Sequence, residues 1–374
     1  MVEGFTPGNR SGERILFTPG PLTTSPRVKG EMLIDIGSWD ADCVDLTREI
    51  REELVGLANS DEDLTCTLMQ GSGSFGVEAV IGSAIPADGK ILVLRNGAYG
   101  QRIEWMARAL GIPHVVIEDP EDRPHSADAV GAALQSDPEI THVVCVHCET
   151  TTGLLNPLGE IAAVVEQNNR RFIVDAISTF GAYETGPGKP IDFSVGPIDH
   201  LVGSANKCIE GVPGFAFVLS RRSAIERCAG SARSLCLDLH DQWKGFETHG
   251  KFRYTPPTHV LLAFRQALLE LREEGGIAGR ARRYRENHDV LVEGLAELGF
   301  ATFVPEPYQS WIITTFLCPG SFEFWPFYEA LHDKGYIIYP GKLTEVDTFR
   351  IANIGAIDAE DVRGLVDAIR EIQA

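Results

Sequence analysis

Five apolar runs, at residues 64–69, 90–94, 115–117, 141–147 and 171–175, constrain the fold of this chain more than any other feature. Each ends in a polar or glycine-bearing loop, and stretches with helical spacing lie between them. A strand wet on one face alternates apolar and polar residues, whereas a continuously apolar strand needs both faces covered. Runs of that kind separated by helices predict a mostly parallel sheet with helices on both sides, the α/β class. Helical periodicity is clear at 44–59 through Leu46, Ile50, Leu54 and Leu57, and again at 260–273 and 277–298. Beyond the break at Gly299, strands are expected at 302–304, 312–316, 336–339 and 348–351, with helices at 324–334 and 358–374. The expected division is therefore a large domain over residues 15–275, a smaller α+β C-terminal domain over 276–374, and a polar N-terminal arm, 1–14.

A chain of 374 residues accommodates two such units. The formal net charge of −20 argues against a nucleic-acid partner, since binding a phosphate backbone relies on clustered Lys and Arg. A small anionic ligand stays open, held by a few focused donors. No window of about eighteen apolar residues and no apolar signal-peptide core occurs, so a cytoplasmic protein without a membrane partner is expected. The eight cysteines are scattered and read as reduced thiols. Cys145-Val146-His147-Cys148 has C-x-x-C spacing but no second pair at zinc-site spacing, and no metal site is expected.

In open α/β sheets ligands gather beyond the carboxyl ends of the strands, which makes the loop after each strand informative. After 64–69 comes Gln70-Gly71-Ser72-Gly73-Ser74-Phe75-Gly76, a Gly/Ser turn running into a helix. Backbone N–H groups of Ser72, Gly73, Ser74 and Phe75 and the helix dipole suit a phosphate monoester there, although such a turn also serves merely to start a helix. The spacing is neither a dinucleotide fingerprint nor a Walker loop. Tyr99 follows the next strand and is either a ring-stacking aromatic or a core residue. Thr150 and Thr151 offer hydroxyls after 141–147. Asp175 ends a buried strand, where it either pairs with a cation or caps a helix. Ser204-Ala205-Asn206-Lys207 follows an apolar run and precedes a Gly/Pro-rich turn; a partly desolvated Lys207 amine suits a covalent bond to a carbonyl group. Thr18-Pro19-Gly20-Pro21 cannot be helix and is either a crossover or a wall of the site. Thr255, before two prolines, is an N-cap or a phosphate contact. Arg350, alone on an apolar strand, needs an anion, whether a structural carboxylate or a ligand. An amine, a carboxylate, an aromatic face and a phosphate cup are together the requirements of pyridoxal 5'-phosphate.

In order and spacing, Thr18-Pro19-Gly20-Pro21-Leu22, Gly71 to Ala79, Asn96 to Gly100, Glu149 to Gly153, Val174-Asp175-Ala176, Ser204 to Phe215 and Arg350 to Gly355 resemble the 2-aminoethylphosphonate–pyruvate aminotransferases. These are class V, fold-type I pyridoxal phosphate enzymes, and the match runs from about residue 15 to the C-terminus. The resemblance implies a transaminase of phosphonate catabolism that converts 2-aminoethylphosphonate and pyruvate to phosphonoacetaldehyde and L-alanine. It implies Lys207 as cofactor lysine and proton shuttle, Asp175 as partner of the cofactor ring nitrogen, and Tyr99 against the ring. Ser72, Gly73, Ser74, Phe75, Thr150, Thr151, Ser204 and Asn206 then complete the cofactor site. The resemblance also implies that Thr255 reaches the phosphate from the neighbouring subunit of a homodimer with shared active sites, and that Gly20 and Arg350 face the substrate. Alanine–glyoxylate or serine–pyruvate aminotransferase and a related aminophosphonate lyase are the alternatives on the same fold. A non-catalytic binding protein is the alternative outside it. Residues 183–190 look like an insert relative to the family, near the cleft.

Overall fold

A computed structural model describes residues 13–373 except Val195, Pro197, Ser321 and 342–345; of the N-terminal arm, 1–12 lie outside the described residues. Among the described residues, seven strands form one sheet. In spatial order these are Leu64–Gln70, Phe215–Arg221, Ile198–Ser204, Arg171–Asp175, Ile140–Val146, Lys90–Arg95 and His114–Glu118. Phe215–Arg221 runs antiparallel to both neighbours, and the other neighbouring pairs are parallel. The carboxyl ends of the six remaining strands consequently lie along one edge.

The two faces of the sheet bury separate sets of side chains, as the continuous runs require. Leu92, Leu94, Val143, Cys145, Phe172 and Val174 belong to one core, and Ile91, Val93, Val144, Val146, Ile173 and Val202 to the other. Side chains alternate across a strand, so an unbroken apolar run feeds both cores at once.

The C-terminal part carries a three-stranded antiparallel sheet in the order Ile313–Leu317, Thr348–Ala352, Tyr339–Pro340. Its core gathers Phe300, Phe316, Phe327, Phe349 and Leu365, joined by Phe17 from the start of the described chain. The strand Ile15–Leu16 pairs parallel with Tyr336–Ile337, so the first described residues lie in this region before the chain enters the large sheet. The expected strand at 302–304 is reduced to a single bridge from Thr302 to Phe316 and a bond from Phe303 N–H to the Thr315 carbonyl. Helix Thr258–Glu273 gives way to helix Gly276–Glu297 at Gly275 and Gly276, both in the left-handed region, where glycine carries no Cβ penalty. Within residues 183–190, two side chains are anchored to distant segments. Tyr183 is buried and stacked on Trp311 at 4.0 Å, and the Thr185 hydroxyl donates to the Leu57 carbonyl.

Candidate active site

A cavity of about 540 Å³ lies beyond the carboxyl edge of the large sheet. Strand Leu64–Gln70 delivers the chain to Gly71, whose φ of +109° suits glycine and whose N–H donates to the Gly214 carbonyl at 2.9 Å. Helix Gly73–Ala84 begins directly after it, and the Ser72 hydroxyl makes no capping bond, which leaves the first N–H groups facing the cavity. A Cβ on Gly73 would stand 2.5 Å from Ile177 Cδ1, so only glycine allows this helix end to approach the wall carrying Asp175 and Ile177. Of the expected cup, Ser72, Gly73 and Ser74 line the cavity. Phe75 does not: its N–H donates to the Ser72 carbonyl at 2.9 Å, and its half-exposed ring packs beside Gly71.

Helix Ala98–Ala109 supplies the opposite wall. Tyr99, Arg102, Ile103 and Met106 follow i, i+3, i+4, i+7 spacing and present one face to the cavity. Arg102 Nη1 donates to Ser74 Oγ at 2.8 Å, and its guanidinium lies 4.9 Å from the Tyr99 ring centre. The start of this helix is fixed by Glu149, whose carboxylate accepts the N–H groups of Gly100 at 2.7 Å and Tyr99 at 3.2 Å. A Cβ on Gly97 would sit 2.6 Å from Glu149 Oε2. Burial pushes the Glu149 carboxyl up to about 7, against the opposing pull of those N–H groups, and the charge of Asp175 adds to the rise. Thr151 is drawn into the same cap: its hydroxyl donates to Glu149 at 3.2 Å and accepts the Ala98 N–H at 3.1 Å. Thr150 lines the cavity, whereas Thr151 is buried beside it and turned to the helix start.

Asp175 ends its strand at the cavity floor, where burial pushes its carboxyl up to about 6 despite the Ile177 N–H bond and the charges of Arg102 and Lys207. Lys207 stands in the turn after Ile198–Ser204, and its Nζ donates to the Pro19 carbonyl. Gly20, at φ +118°, makes room for it: a Cβ there would be 2.8 Å from Nζ. The loop 18–21 is thus a wall of the site, with Gly20 and Pro21 both lining it. Ser204 Oγ donates to Asn206 Oδ1 at 2.7 Å, and both residues line the cavity. Behind the lysine, Glu210 takes a left-handed φ of +67° and donates its N–H to the Lys207 carbonyl at 2.8 Å. Its buried carboxylate is held by Arg283, Arg280 and the Tyr284 hydroxyl, an over-determined arrangement that offsets the backbone strain.

Besides Phe75 and Thr151, two expected residues stand off the cavity. Thr255 is exposed in the segment before helix Thr258–Glu273, beside Trp39 and Tyr254, and its carbonyl accepts from the Gln70 side chain. Arg350 is 2 % exposed; its Nε donates to the Pro340 carbonyl at 3.0 Å and its Nη1 to the Thr150 carbonyl at 2.8 Å. Among the described residues it pairs with no carboxylate, so of its two expected partners the structural acid is not the one found.

The residues facing the cavity fit pyridoxal 5'-phosphate. A helix N-terminus with an uncommitted cap hydroxyl suits its phosphate. A buried carboxylate without an ion-pair partner at bonding distance suits its ring nitrogen, an aromatic side chain suits its ring, and a lysine stands ready to bond its carbonyl carbon. Sequence reading did not assign Arg102 or Glu149. Arg102 reads in the sequence as the wet face of an amphipathic helix, and Glu149 carried no local signal, because the N–H groups it caps lie about fifty residues away.

The architecture is that of the fold-type I aminotransferases. Among solved structures the chain is similar to alanine–glyoxylate aminotransferase from Nostoc sp., with a TM-score of 0.88 and 22% identity over 99% of this chain and 98% of that one. The family model for aminotransferase class-V matches residues 33–320. Two relatives, the 2-aminoethylphosphonate–pyruvate transaminases of Syntrophobacter fumaroxidans and Bacteroides fragilis, are each 51% identical over 96% of this chain, covering 95% and 99% of their own lengths. The chain belongs to the class-V aminotransferases.

Proposed function

We propose that the protein transfers the amino group of 2-aminoethylphosphonate to pyruvate, giving phosphonoacetaldehyde and L-alanine in phosphonate catabolism, with pyridoxal 5'-phosphate as cofactor. The observation that carries this is identity of about half over nearly the whole chain to transaminases of that name, together with an amine, a carboxylate and a phosphate cup around one cavity. When bound, the cofactor supplies an electron sink for the substrate carbon.

In this reading Lys207 Nζ would take a proton from the amine-bearing carbon of the donor and deliver it to the cofactor's former carbonyl carbon. The Pro19 carbonyl and the Gly20 gap aim that nitrogen into the cavity. Asp175, ionised, pairs with the protonated ring nitrogen, and Tyr99 covers a ring face. Ser72, Gly73 and Ser74 hold the phosphate, Thr150, Ser204 and Asn206 bound the site, and Arg350 meets the substrate anion.

The reading includes a division into lobes at about residue 275, with 15–17 reaching across, and a homodimer in which Thr255 serves the partner's site. Supporting the dimer, Thr255 lies away from its own cavity, next to the exposed aromatics Trp39 and Tyr254. No helix among the described residues is long and apolar enough to cross a membrane, and a cytoplasmic site of action is part of the proposal. The test is to supply purified protein with the cofactor, pyruvate and 2-aminoethylphosphonate. Alanine should form; transfer from carboxylate amines but not from the aminophosphonate would sink the substrate assignment in favour of the alanine–glyoxylate type.

A further inference from the structure

The charged side chains lining the cavity are Asp175, Lys207 and Arg102. The reading above gives the first two their partners, a ring nitrogen and a carbonyl carbon, and gives the third none. Arg102 is half-buried, donates from Nη1 to the hydroxyl of Ser74 at the helix N-terminus, and lies over the Tyr99 ring at 4.9 Å. Among the described residues no carboxylate stands within ion-pair distance of it. A phosphate monoester carries close to two negative charges at neutral pH, and a helix N-terminus offers about half a positive charge. Buried Asp175 and Glu149 and a chain of net charge −20 oppose such an anion further. A full cation at the cup is the group that resolves the deficit.

We propose that Arg102 is a cofactor-binding residue of this site, completing the phosphate cup and making it selective for the phosphorylated cofactor over pyridoxal. The inference rests on the pyridoxal phosphate reading. The guanidinium fork suits a phosphate oxygen as a charge-assisted partner, and its bond to Ser74 fixes a cup hydroxyl at the same time. Through its contact with the Tyr99 ring, one side chain ties the phosphate end of the site to the ring-stacking wall.

The test compares the full-length chain, freed of cofactor, with Arg102→Gln and Arg102→Lys, each titrated separately with pyridoxal phosphate and with pyridoxal while the visible band is followed. Arg102→Gln should weaken pyridoxal phosphate roughly tenfold to a hundredfold and leave pyridoxal within about twofold, with Arg102→Lys between it and the parent. Equal weakening of both compounds would show a packing role and overturn the proposal, as would an unchanged affinity for pyridoxal phosphate. If the parent chain binds neither compound, the cofactor reading itself falls; an effect confined to the phosphorylated compound supports both.

Discussion

One arginine lines the cavity, another stands behind the Thr150 wall, and the two are held in opposite ways. Arg102, on the helix that carries Tyr99, lines the cavity with a single bond to a serine hydroxyl. Arg350, on the central strand of the C-terminal sheet, is buried and spends Nε and Nη1 on the carbonyls of Pro340 and Thr150. Burial lowers the Arg350 pKa, with Tyr99 and Tyr339 pulling it the other way. The difference teaches that a cation's position along the chain says little about its availability. Arg102 can turn its fork to an incoming anion with little rearrangement, whereas Arg350 joins one wall of the cavity to the C-terminal sheet and has part of its fork already committed.

The sharpest way to break this comparison is to remove the lysine of the cavity. Lys207→Ala should lower alanine formation by roughly 10⁴-fold, the upper end for a positioned base, with both arginines untouched. Retained turnover would mean that neither arginine serves a lysine-centred reaction. Next, Arg350→Ala should lower kcat/KM for the aminophosphonate by about a hundredfold through loss of a charge-assisted partner, while affinity for pyridoxal phosphate stays within about threefold. A drop in cofactor affinity as large as that expected for Arg102→Gln would erase the distinction. A smaller effect is expected at the cap of the Tyr99 helix. Glu149→Ala leaves the Tyr99 and Gly100 N–H groups without their acceptor, which costs about 1–3 kcal/mol and should appear as a lower melting temperature.

The smallest expected effect is a pH trend in the cofactor-free chain. Asp175 and Glu149 are pushed up to about 6 and about 7, above their values of about 4 in an unfolded chain. These two carboxyls therefore contribute stability that falls as pH rises between about 4 and 7, against the buried His142, His147 and His200, which burial holds down to about 4, 3 and 3 and whose contribution rises over the same window. Relative to the parent, Asp175→Asn or Glu149→Gln should each make the melting temperature rise more, or fall less, as pH increases across that window. A pH profile left unchanged by both substitutions would mean that these carboxyls are already satisfied without a ligand.

Much of the site was legible because it hangs on strand ends. Asp175 and Lys207 follow apolar runs, and the Gly/Ser turn follows another, so the α/β pattern alone placed them along one edge. What the sequence did not reveal depends on contacts between distant segments. The antiparallel course of Phe215–Arg221 carries no local mark, since an apolar run reads the same in either direction. Thr150 and Thr151 are adjacent hydroxyls, and only the pull of Glu149 decides that Thr151 turns to the helix. Phe75 sits close enough to the cup to be counted in it, yet the first helical turn takes its N–H. Arg102 was hidden for a plainer reason: an arginine on an amphipathic helix looks like its wet face.

The strand Ile15–Leu16 carries a mechanical consequence. Phe17 is fastened to the C-terminal region on both sides, its N–H donating to the Ile337 carbonyl at 2.8 Å and its carbonyl accepting from Ala352 at 3.0 Å. Two residues later, the Pro19 carbonyl holds the Lys207 amine. Thr18 alone separates these anchors, and its own hydroxyl is tied to the Pro21 carbonyl at 2.5 Å. With so little slack, the segment acts as a taut strap, so that any tilt of the region bearing Arg350 tugs directly on the nitrogen of Lys207.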